Sequence, residues 1–425
     1  MVIKDIEYKI VQLGVVSALF GYALSFYSVY FFHLVIALFF IYTLIASKGL
    51  SIRTLKIVYP VLIFFLFSAI TLLWVENIEL GLINLFYIFC GFFAVVFSVL
   101  SSKNGENLKK IYKVLVFIAT INFIIGFCES LGLFRLPMSP YSQYASFFGY
   151  KESDLNEFYT FQVDSILSKP TGFNGNPNTF GFVFILTFPF LFFYNKYSKY
   201  FSLIFVIFFN FYLQSRGVFI ASIIFFLVFS FLNFRKNFFY FLILIFGALL
   251  FIPFFNYDFT DLRISSSFES IQTGFNNILN KNVDLYSNST DVRASVYTLG
   301  IINLIENPIL GLGLGGIQNI LLNMNSPIQS FHFYFLEVLI NYGIVFYLFF
   351  MVFYIKLILN VYRVSLRIVD KVNKNISLSI FYALVIMPFA SIAPSSIVYN
   401  LTAWTVVGLA LSIVHLDKEG KLGGK

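Results

Sequence analysis

The stretch N-F-Y-L-Q-S-R-G-V-F-I-A-S, residues 210–222, places one arginine between two runs of apolar residues. Both runs are apolar enough to belong in the hydrocarbon of a bilayer, where a guanidinium is costly. Arg216 is therefore expected at a membrane boundary, in a turn of a few residues that joins two spans. The stretch favours a chain that crosses a membrane repeatedly, with Arg216 on one defined side.

The composition of the whole chain agrees with this interpretation. Of 425 residues, 59% are hydrophobic and only 11% are charged, and the mean hydropathy is +0.86. Soluble domains carry roughly 25% charged residues, so the sequence predicts an all-α polytopic membrane protein. The net charge of +8 then bears on membrane orientation and not on nucleic-acid binding. The two cysteines lie in apolar segments and predict neither a disulfide nor a metal site.

Apolar runs of about 20 residues predict about twelve spans. They lie at 10–27, 28–47, 55–74, 80–100, 111–133, 178–195, 199–215, 217–234, 238–256, 343–362, 376–394 and 399–416. The first two spans are predicted to form a tight hairpin. The apolar stretch 10–47 is too long for one membrane-spanning helix, which rises about 1.5 Å per residue. The N-terminus shows no cleavage pattern typical of a signal peptide.

The basic residues support this span count. With the N-terminus inside, most of the 28 basic residues fall on the cytoplasmic side, as the positive-inside rule requires. The outer side keeps only Arg135, Lys151, Lys169, Arg216, Arg263, Lys281 and Arg293. The pattern predicts cytoplasmic termini and makes Arg216 the one basic residue in a short outer turn.

Two long outer segments divide the chain into five parts. These are the N-terminal helices 1–133, a first outer loop 134–177, central helices 178–256, a large outer loop 257–331 and C-terminal helices with a tail, 332–425. The second loop is expected to form a small, mainly helical extracytoplasmic cap. It contains a predicted helix near 292–306 that Asp291 could cap.

Three residues on the outer side could carry chemistry. Arg216 is either a helix-end anchor to lipid headgroups or an anion clamp, because guanidinium binds phosphate through two parallel hydrogen bonds. Arg293 is either paired on the surface with Asp291 or a second cation for the same anion. His332 is either a packed interfacial histidine or a general base, because its ordinary pKa lies near working pH. Glu337 is not expected on the same helical face as His332.

Two glycine-containing segments lie beside these residues. In L-S-K-P-T-G-F-N-G-N-P-N-T-F-G-F, residues 167–182, Asn178 or Thr179 could cap the following span. In N-P-I-L-G-L-G-L-G-G-I-Q-N, residues 307–319, the glycines match neither a dinucleotide fingerprint nor a P-loop. A helix stop and a compact turn are predicted there, with no nucleotide.

Taken in order, these motifs resemble a known family. S-R-G at a span start is followed by an outer loop with an arginine, N-P-I-L-G-L-G-L-G-G, a histidine at membrane re-entry and L-E-V-L-I-N-Y-G. With K-P-T-G-F-N-G-N-P-N upstream, they resemble the O-antigen ligase and O-antigen polymerase superfamily, the Wzy-type integral membrane glycosyltransferases. The motifs cover about residues 167–345. Lys169 stands where members often carry arginine, and lysine lacks the bidentate fork.

The resemblance implies a GT-C-like fold and a metal-independent, inverting glycosyl transfer without a cofactor, on the outer face of the bacterial cytoplasmic membrane. The donor would be an oligosaccharide on undecaprenyl pyrophosphate and the acceptor a sugar. Arg216 and Arg293 would bind the pyrophosphate, and His332 would deprotonate the acceptor hydroxyl. Lys169 and Asn178 would also bind substrate. Membrane lipids are further partners, a chain-length regulator is a candidate partner, and no nucleic acid is implied.

Three classes of function remain open. Within the enzyme class, a polymerase is favoured over a ligase, although both use the same residues and differ only in acceptor. A transporter such as a flippase for lipid-linked sugars predicts charges at mid-membrane depth, whereas the charges here cluster at the outer boundary. A receptor or assembly scaffold is the third class.

Overall fold

The protein is nearly all helical. A computed structural model describes residues 2–27, 29–46, 49–139, 141–148, 169–232, 289–326 and 330–422. Its helices are α1 (Val2–Phe20), α2 (Phe31–Ile45), α3 (Ile52–Thr71), α4 (Ile78–Ser101), α5 (Gly105–Ser130), α6 (Pro177–Tyr194), α7 (Lys196–Leu213), α8 (Arg216–Leu232), α9 (Ser289–Glu306), α10 (Gly316–Asn323), α11 (Tyr334–Arg367), α12 (Lys371–Ala390) and α13 (Leu401–Lys418). Two short antiparallel strands, β1 (Ser25–Phe26) and β2 (Val29–Tyr30), join α1 to α2.

Seven helices among the described residues are long and apolar enough to cross a membrane, namely α3, α4, α5, α6, α11, α12 and α13. Helices α2 and α8 are apolar but shorter, at 15 and 17 residues. Large apolar side chains cover the outside of the bundle, such as Leu73 at 85% and Phe349 at 71% exposure. Lipid contact accounts for such a surface. The predicted span 238–256 lies outside the described residues, and the count of twelve stays a prediction.

Two predicted span boundaries are wrong. In the first hairpin α1 ends at Phe20, before the predicted 27, and Gly21 adopts a φ of +50°, which glycine does without steric cost. The chain still reverses between Phe26 and Val29, which pair across β1 and β2. Near the C-terminus, 376–394 and 399–416 left a connection of four residues. Instead α12 ends at Ala390, and Asn400 caps α13 by accepting from the Ala403 amide at 3.1 Å. The segment between α12 and α13, residues 391–400, is named the 391–400 loop.

The helix ends that were predicted to be cytoplasmic meet at one end of the bundle. Ion pairs connect these ends across helices: Lys109 Nζ to Asp370 Oδ2 at 3.4 Å, Arg367 Nη1 to Asp417 Oδ2 at 3.5 Å and Lys103 Nζ to Glu7 Oε1 at 3.9 Å. Because these residues come from the ends of α1, α4, α5, α11, α12 and α13, the described helices alternate in direction as the charge pattern predicts. Which side of a membrane this end faces stays a prediction.

Helix α6 lies at the centre of the fold. Phe180, Phe184, Phe188 and Phe190 on it are completely buried, and it packs against α5, α7 and α12. A helix that is apolar on all sides is expected in the interior of a bundle and not at its surface. Since α6 begins at Pro177, directly after residues 169–176, this central helix fixes those residues at the end opposite the basic ion pairs.

A second, smaller hydrophobic cluster joins α9 and α10 to the start of α11. Its buried members are Val296, Leu299, Ile317, Leu321, Phe331 and Ile340. The predicted helix near 292–306 is present as α9, but it begins at Ser289, so Asp291 lies inside it and is not its cap. Parts of the two predicted outer loops lie outside the described residues, namely 140, 149–168, 257–288 and 327–329. The extracytoplasmic cap therefore stays a prediction.

The glycine-rich segment 307–316 packs onto a break in α11. Gly343 has φ 76° and ψ 170° within that helix, and around it the two backbones hydrogen bond directly. The Leu312 amide donates to the Ile340 carbonyl at 3.0 Å, and the Ile344 amide donates to the Pro308 carbonyl at 2.8 Å. The glycines therefore permit a close backbone approach, in line with the predicted compact turn.

Candidate active site

Arg216 lies at the first position of α8, in the short turn that the sequence predicts. Helix α7 ends at Leu213, and Gln214 with a φ of +50° reverses the chain. Arg216 is exposed, whereas the next residue, Gly217, is buried. A Cβ at Gly217 would come within 2.7 Å of the Ala393 backbone nitrogen. Glycine is therefore required here for α8 to begin directly on the 391–400 loop.

The same loop holds His332. The His332 amide donates to the Ser395 carbonyl at 3.0 Å, and the Tyr297 hydroxyl donates to the His332 carbonyl at 3.4 Å. His332 has a φ of +56°, a left-handed conformation that is uncommon for a residue with a side chain. Such conformations persist where surrounding contacts impose them, and they are concentrated at functional sites.

Arg293 acts electrostatically on His332. Arg293 and Tyr297 are four residues apart on α9 and share one helix face, and Tyr297 contacts His332. Burial and, secondly, the nearby Arg293 charge lower the pKa of His332 to about 4, while backbone contacts with Ala393 and Pro394 oppose the shift. The imidazole is thus neutral at pH 7. Its Nδ1 is buried without a hydrogen-bond partner among the described residues, so that lone pair is not engaged by the protein.

The upstream 167–182 motif is anchored by a buried carboxylate. Glu129 near the end of α5 accepts hydrogen bonds from the Thr171 amide at 2.6 Å and the Gly172 amide at 2.7 Å. The Lys169 carbonyl accepts from Arg135 Nη2 at 3.0 Å. The Lys169 backbone is therefore held next to the C-terminal end of α5. The sequence did not single out Glu129, although an acidic residue near the end of an apolar span was a usable signal.

The start of α6 brings Asn178 toward the same end. The cap of α6 is Asn176, whose Oδ1 accepts from the amides of Asn178 at 2.8 Å and Thr179 at 3.3 Å. The predicted capping by Asn178 or Thr179 is wrong, because Pro177 occupies the first helical position and the cap must precede it. Thr179 instead hydrogen bonds to the Tyr399 side chain of the 391–400 loop.

Four helices thus begin around the 391–400 loop. Thr179 near the start of α6, Gly217 in α8 and His332 before α11 all contact it, and α13 follows it directly. Helix N-termini carry partial positive charge and free amides. Among the described side chains none caps the start of α11. Together with Arg216 and Arg293, this arrangement favours binding of an anion such as a phosphate ester.

Sequence reasoning missed the loop, and it set Glu337 aside as not sharing a helical face with His332. The Glu337 carboxylate hydrogen bonds to the Ser396 side chain, and its Oε2 is buried without a partner in the described part of the chain. Through Ser396, Glu337 fixes the loop that contacts both Gly217 and His332. The run S-I-A-P-S-S, residues 391–396, was the available signal, since a proline among small polar residues interrupts an otherwise apolar stretch.

An apolar cavity of about 560 Å³ opens beside this group, between α3, α11, α12 and α13. Aromatic and aliphatic side chains line it. Tyr334 and Phe335 follow His332 directly, Ile397 belongs to the 391–400 loop, and Phe64 and Trp404 form the opposite wall. The cavity therefore places a hydrocarbon-compatible groove beside the segment that follows His332 and beside the 391–400 loop.

Neither a metal centre nor a nucleotide loop is built from the described residues. Within those ranges no three His, Cys, Asp or Glu side chains group as metal ligands. The glycines of 307–316 face backbone: a Cβ at Gly311 would lie 2.5 Å from the Gly343 nitrogen. They are consequently not available to surround a phosphate.

The proximity of Arg293 to His332 has a measurable consequence for protonation. The folded-state pKa of His332 lies below the ordinary value of 6.5, so folding disfavours the charged form. Above about pH 6.5 the imidazole is neutral in both states, and this group costs the folded state nothing. As the pH falls toward the folded-state pKa, protonation favours the unfolded chain, and the free energy of unfolding decreases. Arg293→Gln should raise the pKa of His332, because one of the two causes of the shift is removed.

That pKa can be followed by NMR on histidine-labelled protein in detergent. Arg135→Gln is the matched control, because Arg135 lies on the same end of the bundle but is held by Lys169 and Tyr141. An unchanged His332 titration in Arg293→Gln would contradict the electrostatic contact.

Comparison with known proteins supports one family. Residues 201–351 match the family model described as O-antigen ligase. The matched range includes Arg216, Arg293, His332 and the glycine-rich segment. A comparison with curated proteins finds no match.

Proposed function

We propose that this chain, whose residues 201–351 match the family model described as O-antigen ligase, is a glycosyltransferase that polymerises lipid-linked oligosaccharide repeat units. The donor is an oligosaccharide on undecaprenyl pyrophosphate. The product is a surface polysaccharide of the O-antigen or capsule type. Reaction takes place on the outer face of the bacterial cytoplasmic membrane, in a GT-C-like fold of about twelve spans with a helical cap and cytoplasmic termini.

The observation that carries this proposal is the pairing of Arg293 with a neutral His332 beside the loop on which α8 begins. Glycosyl transfer from a pyrophosphate needs cations where negative charge develops and a base that is unprotonated at working pH. Arg293 supplies a cation, the imidazole supplies the base, and Arg216 stands at the start of α8 on the same loop. Arrangement and chemistry therefore agree with the family.

The proposed reaction is a single displacement. The neutral imidazole of His332 takes the proton of an acceptor hydroxyl. The hydroxyl oxygen forms a bond to the anomeric carbon from the face opposite the pyrophosphate, and the bond between that carbon and the pyrophosphate oxygen breaks. Arg216 and Arg293 stabilise the charge on the departing lipid pyrophosphate. The anomeric configuration is inverted, and no metal or cofactor takes part.

The apolar cavity supports a lipid-linked donor. A polyprenyl chain requires a groove that excludes water and continues to the pyrophosphate site. The cavity is bounded by Tyr334, Phe335 and Ile397, which are neighbours of His332 and of the 391–400 loop. A ligase that transfers the glycan to another acceptor is the alternative, because it would use the same donor site. A flippase is the second alternative and predicts movement without bond formation.

Reconstitution distinguishes these functions. Purified protein in liposomes, given a radiolabelled lipid-linked oligosaccharide without nucleotide and with a chelator present, should yield a ladder on lipid pyrophosphate. Transfer of label to a different acceptor would indicate a ligase. Label that changes leaflet without any change in chain length would indicate a flippase and overturn the proposal.

Replacing Arg216 should slow transfer strongly without unfolding the protein. Arg216 is exposed at the start of α8, so its replacement removes no packed core side chain. We expect Arg216→Gln to lower kcat by about 10²–10³, which is typical for loss of one charge-stabilising donor. Arg216→Lys should recover part of this, because the charge returns without the bidentate geometry.

Glu306→Gln, which changes an exposed charged residue at the end of α9, serves as the matched control and should keep nearly full activity. An Arg216→Gln variant with the wild-type rate would show that Arg216 is a helix-end anchor.

A further inference from the structure

A second cavity lies at the opposite end of the bundle from His332. It has a volume of about 640 Å³ and is bounded by the ends of α2, α3, α4 and α13. Helix α13 begins next to the 391–400 loop at Leu401 and ends beside this cavity at Lys418. Its 18 residues span about 27 Å, close to the ~30 Å of a bilayer core. We call it the basic-end cavity, since the basic residues gather at this end.

The basic-end cavity is lined by both apolar and basic side chains. Phe39, Ile57, Val99 and Leu416 give it an apolar side formed by the helix bodies. Its polar side carries Arg53, Lys103 and Lys421, together with hydroxyl groups such as that of Thr43. An occupant that satisfies both sides must combine a hydrocarbon part with an anionic head.

Cations outnumber the carboxylates at this polar side. Glu419 is shared between Arg53 and Lys421, and one carboxylate cannot neutralise both cations. Lys103 has only a long contact with Glu7, at 3.9 Å. The side chains of Arg53 and Lys103 are each 52% exposed. Their donors can therefore reach a bound anion without losing buried partners.

We propose that the basic-end cavity binds an anionic phospholipid, with its phosphate against Arg53, Lys103 and Lys421 and the start of one acyl chain along Phe39 and Ile57. Basic pockets between helices on the cytoplasmic side suit anionic lipid headgroups, and the positive-inside rule assigns this end to the cytoplasm. The apolar wall favours a lipid over a free phosphate, which would leave that wall in contact with water. This site is distinct from the proposed donor site, which lies at the other end of α13.

Lipid binding can be tested on the full chain without any activity assay. Purified protein in zwitterionic detergent micelles is titrated with phosphatidylglycerol or phosphatidylcholine, and retained lipid is counted by native mass spectrometry. Lys103→Gln removes one loosely paired cation and should weaken phosphatidylglycerol binding about fivefold, the effect expected of one basic residue near an anionic headgroup. Ile57→Trp fills the apolar side and should weaken binding without changing charge. Lys110→Gln, an exposed lysine at the same end that does not line the cavity, is the matched control.

Three results would overturn the proposal. Phosphatidylcholine could bind as tightly as phosphatidylglycerol, which would mean that the headgroup is not recognised. Glycerol 3-phosphate could compete as well as the lipid, which would make the cavity a free-phosphate site. Lys110→Gln could weaken binding as much as Lys103→Gln, which would mean that only the overall charge matters. Selective loss in Lys103→Gln and Ile57→Trp supports the site.

Discussion

Replacing His332 should nearly abolish glycosyl transfer while leaving the protein folded. A positioned general base contributes about 10²–10⁴ to the rate, so His332→Ala is expected to lose activity within that range, mainly in kcat. The residue is half-buried, and the two hydrogen bonds that fix it use its backbone amide and carbonyl. Those bonds survive substitution, and the thermal unfolding midpoint should change little.

His332→Asn provides the sharper version of this experiment. Asparagine tolerates a left-handed backbone better than most residues, so it preserves the conformation that His332 adopts at a φ of +56°. His415→Gln is the matched control, because His415 lies at the opposite end of α13. If His332→Asn kept the wild-type rate, His332 would not be the base and deprotonation would have to involve another group at this end.

The pH profile of kcat/KM offers an independent check on the same residue. In the free protein the pKa of His332 is lowered to about 4 by burial and by Arg293, so its lone pair is available across the neutral range. Activity that depends on this base should therefore stay level as the pH falls through 6.5, the ordinary histidine value, and decline only in more acidic solution.

The position of Arg216 could be predicted from sequence because it depends on local properties. Apolar runs define α7 and α8, and a polar turn of two residues between them leaves Arg216 at a helix start. The alternation of basic residues fixed which helix ends lie together, and ion pairs such as Lys109 to Asp370 agree. These features need no knowledge of which helices are neighbours in space.

The convergence of the site could not be predicted in the same way. Gly217, His332 and Thr179 are far apart in sequence and meet only because each contacts the 391–400 loop. The sequence pattern assigns parts of the loop to two predicted spans, because its residues are mostly apolar or small. Helix capping failed at Asn178 for a local reason, because Pro177 shifts the cap to Asn176.

The break in α11 is the structural feature whose loss should matter most for stability. With φ 76° and ψ 170°, Gly343 occupies a region of backbone space that is essentially restricted to glycine. A Cβ there would lie 2.1 Å from the Ile309 carbonyl oxygen, an approach that sterics forbid. Because the obstacle is backbone and not a flexible side chain, the neighbour cannot rotate away.

Gly343→Ala should therefore destabilise the protein by roughly 3 kcal/mol or more, through backbone strain and the overlap with the 307–316 segment. The matched control is Gly420→Ala, because Gly420 also has a positive φ, +66°, but no atom lies within 4 Å of a Cβ there. The control should cost only about 1 kcal/mol. Thermal unfolding in detergent compares the two variants, and equal midpoints would contradict the packing described here.

The consequence for activity follows from the position of the break. Residues 334–342 of α11 connect His332 to Gly343 and carry Glu337, which fixes the 391–400 loop through Ser396. If the 307–316 segment is displaced, two backbone hydrogen bonds are lost, from Leu312 to Ile340 and from Gly313 to Asn341. Residues 334–342 of α11 are then no longer fixed in position. Any folded fraction of Gly343→Ala should then transfer glycan more slowly than Gly420→Ala, because the base and the loop are no longer held against each other.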